Sequence, residues 1–411
     1  MRKATVIGAG IVGVCAASYL QAEGFAVEIL DPHPPGMMCS FGNAGGICPG
    51  SCVPIAGPGM LRQVPGWLLD PQGPLFIRLA YLPRLLPWLI RFLAAGRVER
   101  AREISRHMRA LHARTLELYL PLVRVAGCEE LIDQRGQLFV HETPHAADKE
   151  AFGLSLRRAA GVAVEILDQD ALRQLEPALA PIFQSALYYP EQAQTKNPGR
   201  LVASLAQAVL RRGGRLVQAE VTDIEIGPDG PVALQTTAGR HPVELLIVCA
   251  GAWSGRLAAR LGSKVPLETE RGYHAMAIGA DTGLRIQTIW AERKFVAAPM
   301  EEGTRFAGTV ELAGLRAAPD MRRADILLNQ GRRMLPGMQV GEVRRWMGHR
   351  PSLPDSLPVI GGSPHFKNVL FGFGHGHTGL IGGSMTGRLI ADLAAGKPPS
   401  IDPRPYRVDR F

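Results

Sequence analysis

Apolar and polar positions follow two rhythms along this 411-residue chain. Ala4 to Ile7 is a short apolar run that predicts a buried strand. Gly8 to Gly13 predicts a turn, Val14 to Ala22 a helix and Ala26 to Leu30 a second strand, so the chain opens as a βαβ unit. Met37 to Gly59, rich in Gly, Pro and Ser, predicts a long ordered loop. Ile104, Met108, Leu111, Thr115 and Leu118 then recur at helical spacing and predict one continuous apolar face, with arginines on the others.

Strands are predicted at Gln137 to His141 and Ala186 to Tyr189, with a helical pattern from Ala151 to Ala160 between them. A helix over Pro198 to Arg211 leads through Gly213-Gly214 into a strand at Arg215 to Gln218 and on to Val221. The unbroken apolar run Leu245 to Cys249 suits a parallel strand covered on both faces. Residues 265–345 lack the βαβ rhythm and predict an antiparallel layer. Asn368 to Phe371 and Leu380 to Ala395 then restore a strand and a closing helix. The expected fold is α/β with an α+β second layer. Residues 1–60, 195–262 and 344–411 would form a discontinuous Rossmann-like domain, and 61–194 with 263–343 an antiparallel-sheet domain that includes a basic helical segment near 75–120.

Composition narrows the class. The 47 glycines and 32 prolines fall in no repeat, which excludes collagen-like, disordered and solenoid chains. Six cysteines without paired spacing point to a reducing, cytoplasmic setting, and Cys48-x3-Cys52 has no nearby histidine, so no metal is expected. Net charge is +9, and the nine arginines between residues 75 and 115 face only Glu99 and Glu103. That stretch fits either an acidic membrane surface or a helical layer with arginines in water. No reading motif for nucleic acid accompanies it. Leu75 to Ala95 is too interrupted by Arg and Pro to span a bilayer, and the glycines near the amino terminus fit a strand-turn-helix better than a signal peptide.

The sharpest motif is Gly8-Ala9-Gly10-Ile11-Val12-Gly13 with Asp31 ending the second strand. Gly8 allows a tight turn, Gly10 a close approach to a pyrophosphate and Gly13 close helix packing, while Asp31 can accept from a ribose hydroxyl. FAD and NAD share this pattern. Gly374-x-Gly376-x-x-Gly379 lies too near the carboxyl terminus to open a second nucleotide domain and is expected to complete the first site. A helix beginning near Thr378 would stabilise negative charge on a reduced ring by about 0.3–1 kcal/mol.

Several motifs follow in order: Ser40-Phe41-Gly42-Asn43-Ala44-Gly45-Gly46, Val248-Cys249-Ala250-Gly251-Ala252-Trp253-Ser254, Arg271-Gly272-Tyr273, Arg350-Pro351-x-x-Pro354-Asp355-x-x-Pro358-x-Ile360-Gly361 and Gly374-His375-Gly376. Together they resemble the FAD-dependent D-amino-acid dehydrogenase group of the D-amino-acid oxidase and glycine oxidase superfamily. The resemblance implies noncovalent FAD and a glutathione-reductase-type FAD fold. It also implies oxidation of a D-amino or cyclic imino acid by hydride transfer from the α-carbon to flavin N5, with electrons passed to a quinone or another acceptor.

By position, Ser40, Asn43, Ala44, Gly45, Gly46 and Ile47 match the loop along the diphosphate and flavin. Val221 matches the adenine contact, Ala250 and Gly251 the later strand's approach, and Arg350 the arginine that pairs with the substrate carboxylate. Gly376, His377, Thr378, Gly379 and Leu380 match the flavin-facing helix end. His377 and His274 depart from the residues usual there, leaving the substrate open. Tyr273, with Arg271, is a candidate for the pocket wall, and His377 for a group near the substrate, while Ala291 to Phe295 is expected to be a solvated edge. The alternatives are a sarcosine- or glycine-type oxidase using oxygen, and a flavoprotein subunit working with partner subunits. The location implied is cytoplasmic, either free or peripheral on the inner face of the cell membrane.

Overall fold

A computed structural model describes residues 2–411. Its first half carries β1 (Lys3–Ile7), α1 (Ile11–Ala22), β2 (Ala26–Asp31), α2 (Met60–Leu69), β3 (Leu75–Ile77), α3 (Leu82–Ala95), α4 (Val98–His112), α5 (Thr115–Ala126), β4 (Gln137–His141), β5 (Ser185–Tyr189) and α6 (Pro198–Arg211). Then come β6 (Arg215–Gln218), β7 (Leu245–Val248), β8 (Glu268–Ile278), β9 (Gln287–Trp290), β10 (Phe295–Met300), β11 (Gly303–Leu312), α7 (Arg322–Met334), β12 (Glu342–Ser352), β13 (Val359–Gly362), β14 (Val369–Phe373) and α8 (Gly379–Ala394).

Six strands form the first sheet in the order β6-β2-β1-β7-β14-β13, all neighbours parallel except β13 with β14. Both faces are covered, which is why these strands read as continuous apolar runs. Ala4, Val6 and Ile247 join a core with α1, α6 and α8, while Ile7, Leu246, Val248 and Phe371 face a second core. Asn197 starts α6 by accepting the Arg200 N–H at 3.0 Å on its side chain, with Pro198 in the first turn.

The expected helical face from Ile104 to Leu118 is split. Its five residues are all buried, but the helix stops at His112 and restarts at Thr115, giving α4 and α5 on the α8 side of the first sheet.

The second sheet has nine strands. Its main path runs β12-β8-β11-β10-β9-β4-β5 and ends on the strand Glu165–Asp168, with β3 paired to the end of β11. The strands from β8 to β12 pair antiparallel with one another, as expected of residues 265–345, and β9 also runs parallel to β4. On the back of this sheet lies α7, which the reading of residues 265–345 as a strand layer did not include. Only Ala324, Leu327, Leu328 and Met334 of its thirteen residues join the core there, among polar neighbours. The other face of this sheet looks toward the carboxyl ends of β1 and β7, and a cleft of about 1510 Å3 lies between them.

Candidate functional site

At one end of the cleft the chain leaves β1 through Gly8, whose φ is +110°. A Cβ there would lie 2.3 Å from the Cys249 carbonyl oxygen, and one at Gly13 would lie 1.9 Å from that of Gly8. Both positions therefore hold β1, β7 and α1 close together. At Gly10 the nearest atom to such a Cβ is Ser40 Oγ, 3.5 Å away, so the space above the amino end of α1 is open to the cleft. Ser40 Oγ accepts the Ile11 N–H at 3.0 Å. The Asp31 carboxylate accepts from Ala9 N at 2.7 Å and from His33 N at 2.8 Å. It keeps acceptor capacity for a further hydroxyl.

Gly8, Ala9, Gly10, Ile11, Val12, Asp31, Ser40, Asn43, Ala44 and Gly46 all line the cleft, as do Val221, Ala250, Gly251, Gly376, Gly379 and Leu380. Gly13, Gly45, Ile47 and Thr378 do not; they build the wall from behind. Gly45 takes φ +86° and donates its N–H to Asn43 Oδ1 at 2.8 Å, and Ile47 is fully buried.

Side chains from the second sheet fix the 40–47 loop. Arg305 on β11 donates to the carbonyls of Phe41 (2.8 Å) and Asn43 (2.5 Å), and Gln287 on β9 donates to that of Ala44 (2.6 Å). Burial lowers the Arg305 guanidinium to about 10. His274 lies 3.2 Å from the Gly42 carbonyl through Nδ1 and stacks on Trp346 with centroids 5.1 Å apart. Burial and the Arg305 charge bring its pKa down to about 3, so it is neutral.

Below α8, His375 pairs with Thr386 Oγ1 at 2.8 Å, and His377 opens onto the cleft. Its pKa falls to about 4, chiefly through desolvation by the surrounding walls and then through the Arg350 charge. A neutral His377 therefore leaves the nearby cation to Arg350.

Arg350, near the end of β12, crosses its neighbour strand. Its Nη1 donates to the Thr309 carbonyl at 2.8 Å and its Nη2 to that of Gly308 at 3.2 Å, both on β11. Two local features make this seat. Thr309 takes φ +55° at an irregularity in the β8–β11 register. Gly272 on β8 lies under the guanidinium, where a Cβ would come within 2.2 Å of Nη2. Two of the five guanidinium N–H donors are used there, and Arg350 lines the cleft. Gly272→Ala is expected to displace the guanidinium from the β11 carbonyls and destabilise the fold by about 1–3 kcal/mol, as read from thermal unfolding.

Tyr273 borders the cleft, but its ring does not form the wall, and Arg271 does not reach the cleft. Side chains alternate along β8, and these two point to the back of the sheet. The Tyr273 ring is packed in the core under α7, with its hydroxyl donating to Glu311 and accepting from Asp320 N at 3.0 Å. Arg271 is fully buried, 3.2 Å from Glu311. Tyr273 is thus part of the support beneath the cleft floor. Ala291 to Phe295 also differs from a plain solvated edge: Glu292 and Lys294 line the cleft, and Glu292 lies 3.5 Å from the buried His141.

A family model described as FAD dependent oxidoreductase (DAO) matches residues 3–393. The chain belongs to this family. Among DAO relatives it is similar to a D-amino-acid oxidase of Bradyrhizobium diazoefficiens, at 40% identity over 100% of this chain and 99% of that protein. It is also similar to a D-amino acid dehydrogenase of the same organism, at 30% identity over 100% and 99% of the two chains. The fold is shared with glycine oxidase from Geobacillus kaustophilus (TM-score 0.75, 21% identity, all of both chains) and with L-proline dehydrogenase from P. horikoshii (TM-score 0.76, 17% identity, 100% and 97%).

This DAO-family chain is an FAD-dependent oxidoreductase, and its cleft fits the cofactor. The open space over Gly10, the amino end of α1 and the length from Val221 to Arg350 suit a dinucleotide plus a small substrate.

Sequence reasoning did not reach Glu270, Gln287, Arg305 or Trp346. The signal was the two-residue period placing Glu270, Gly272 and His274 on one face of β8. It placed α3 in a basic helical segment but did not bring α3 or α2 to the cleft, where Gln63, Val64, Trp67, Trp88, Leu89 and Phe92 form part of the lining.

Proposed function

We propose that this enzyme oxidises D-amino acids, cyclic imino acids included, and passes the electrons to a quinone at a membrane surface. The observation that carries the substrate class is Arg350, a cation that lines the cleft and keeps three N–H groups beyond the two it gives to β11. The D configuration follows the names of the relatives.

Gly8 to Val12, Asp31 and the 40–46 loop would hold the FAD, and Leu380 with the amino end of α8 would lie against its ring. When bound, FAD supplies the acceptor for the α-hydrogen and two electrons. Arg350 binds and orients the carboxylate, while Trp88, Leu89, Ile289 and Val296 exclude water from the reacting carbon. Bleaching by D- but not L-amino acids in the absence of oxygen supports this reading. A protein bleached by neither sinks it.

The acceptor has two supported readings. The 40% identical relative is named an oxidase, which favours oxygen. The outer surface of α2 and α3 favours a membrane acceptor: Leu69 and Leu79 are 82% and 80% exposed, with Leu86 and Ile90 beside them. Arg78, Arg84, Arg91 and Arg97 flank this patch, and Asp70 is the single acid between residues 60 and 97. An apolar strip rimmed by arginines matches an anionic bilayer surface. No helix in the described residues is long and apolar enough to cross a membrane.

We expect the protein to sediment with anionic vesicles, and Leu79→Asp with Ile90→Asp to weaken this at least about tenfold without bleaching the flavin. Equal recovery of both proteins in the supernatant, together with stoichiometric peroxide in air, would select the oxygen reading.

A further inference from the structure

We infer that Glu270 receives the substrate's ammonium group beside Arg350 and takes a proton from it before the α-carbon is oxidised. The inference rests on the cleft being an amino-acid site.

In the β8–β12 register Glu270 is the direct partner of Arg350, so the two side chains share one face of the sheet. Both line the cleft, and Glu270 is only 5% exposed. Among the described residues no ion pair joins them, because the Arg350 guanidinium is drawn over Gly272 to the β11 carbonyls. A buried acid without a counter-ion is costly unless something else uses it. Here an acid and a cation stand side by side and unpaired, and an amino acid carries the complementary pair on one carbon. A 2-hydroxy acid or a plain carboxylic acid would satisfy Arg350 and leave Glu270 alone.

The surroundings keep Glu270 free for this role. Leu312 stands opposite it on β11, backed by Leu85 and Trp88 of α3. Glu268, two residues earlier, is occupied by the Tyr81 hydroxyl at 2.9 Å. The Ser352 hydroxyl on β12 favours the ionised form of the Glu270 carboxyl, His377 is neutral beyond Arg350, and Arg271 with Glu311 lies on the opposite face. Burial raises the Glu270 carboxyl above its ordinary range, and the Arg350 charge opposes that rise. The raised carboxyl is a stronger proton acceptor than an ordinary glutamate.

The step is a proton transfer alone. One ammonium N–H bond breaks, one carboxyl O–H bond forms, and the amine keeps its electron pair for the oxidation that follows. The proton leaves to solvent when the imino product departs.

The test uses the flavin-loaded protein and two ligands that cannot be oxidised because they lack an α-hydrogen. One is 2-aminoisobutyrate, a zwitterion, and the other is pivalate, a carboxylate of the same shape. By calorimetry, Glu270→Gln should weaken 2-aminoisobutyrate roughly tenfold or more and leave pivalate as tight as before. Glu270→Asp should restore part of the loss. In rapid-mixing experiments, flavin reduction in Glu270→Gln should climb about one decade per pH unit toward the ammonium's own pKa, where the parent protein levels off at lower pH. Equal weakening of both ligands would overturn the assignment and make Glu270 a prop for the Arg350 seat. Unchanged affinity with an unchanged pH profile would overturn it outright. If no amino acid binds or bleaches the parent protein, the amino-acid reading itself has failed, which the two-ligand comparison separates from a failure at Glu270.

Discussion

Arg350→Ala is expected to give a folded, yellow protein whose kcat/KM for amino acids is about two to three orders of magnitude lower, a loss of about 3–4 kcal/mol. The guanidinium lines the cleft with three N–H groups not used on β11, and its removal takes away the positive charge that acts on the buried Glu270. Arg350→Lys should recover little of the loss. An ammonium on a flexible stem cannot hold the Gly308 and Thr309 carbonyls and a carboxylate at once. Flavin content and melting temperature separate this result from unfolding. Lost flavin with unchanged turnover per bound flavin would remove Arg350 from the substrate site.

The second large effect is at the other end of the cleft. Gly8→Ala is expected to yield colourless protein with a sharply lower melting temperature. The new Cβ would sit 2.3 Å from the Cys249 carbonyl oxygen, on a residue at φ +110°. Relief requires β7 to move away from β1, which opens the turn under the diphosphate. Strain plus repacking costs about 3 kcal/mol or more. The ratio of flavin to protein absorbance after purification checks it, and a variant that keeps full flavin would contradict this account of the turn.

The cofactor end was legible because its constraints are local. The tight turn, the helix start and the terminal acid all lie between Gly8 and Asp31, and each residue type has a separate reason to be there. β7 and α6 were legible from one unbroken apolar run and from Asn197-Pro198. The substrate end was less so, since it depends on which face of a strand looks inward. Arg271-Gly272-Tyr273 stood out by composition, yet the pleat sends Arg271 and Tyr273 backward and leaves Gly272 as the floor under Arg350.

Glu270 and Arg305 carried no motif, and only long-range register brings Glu270 to the cleft and Arg305 against the 40–47 loop. The split at His112–Thr115 was invisible because both helices keep the same apolar spacing across the break. Helix α7 carried helical spacing at Ala324, Leu327, Leu328 and Met334, which reading residues 265–345 as a layer of strands passed over.

Anaerobic titration of the purified yellow protein with matched D- and L-amino acids tests the central claim most directly. The cleft between the two sheets, with FAD along β1 and a carboxylate on Arg350, predicts loss of the oxidised flavin band with D-amino acids at a rate that Arg350→Ala abolishes. Full colour in the presence of every amino acid of either hand, in a protein that holds its flavin, would contradict it.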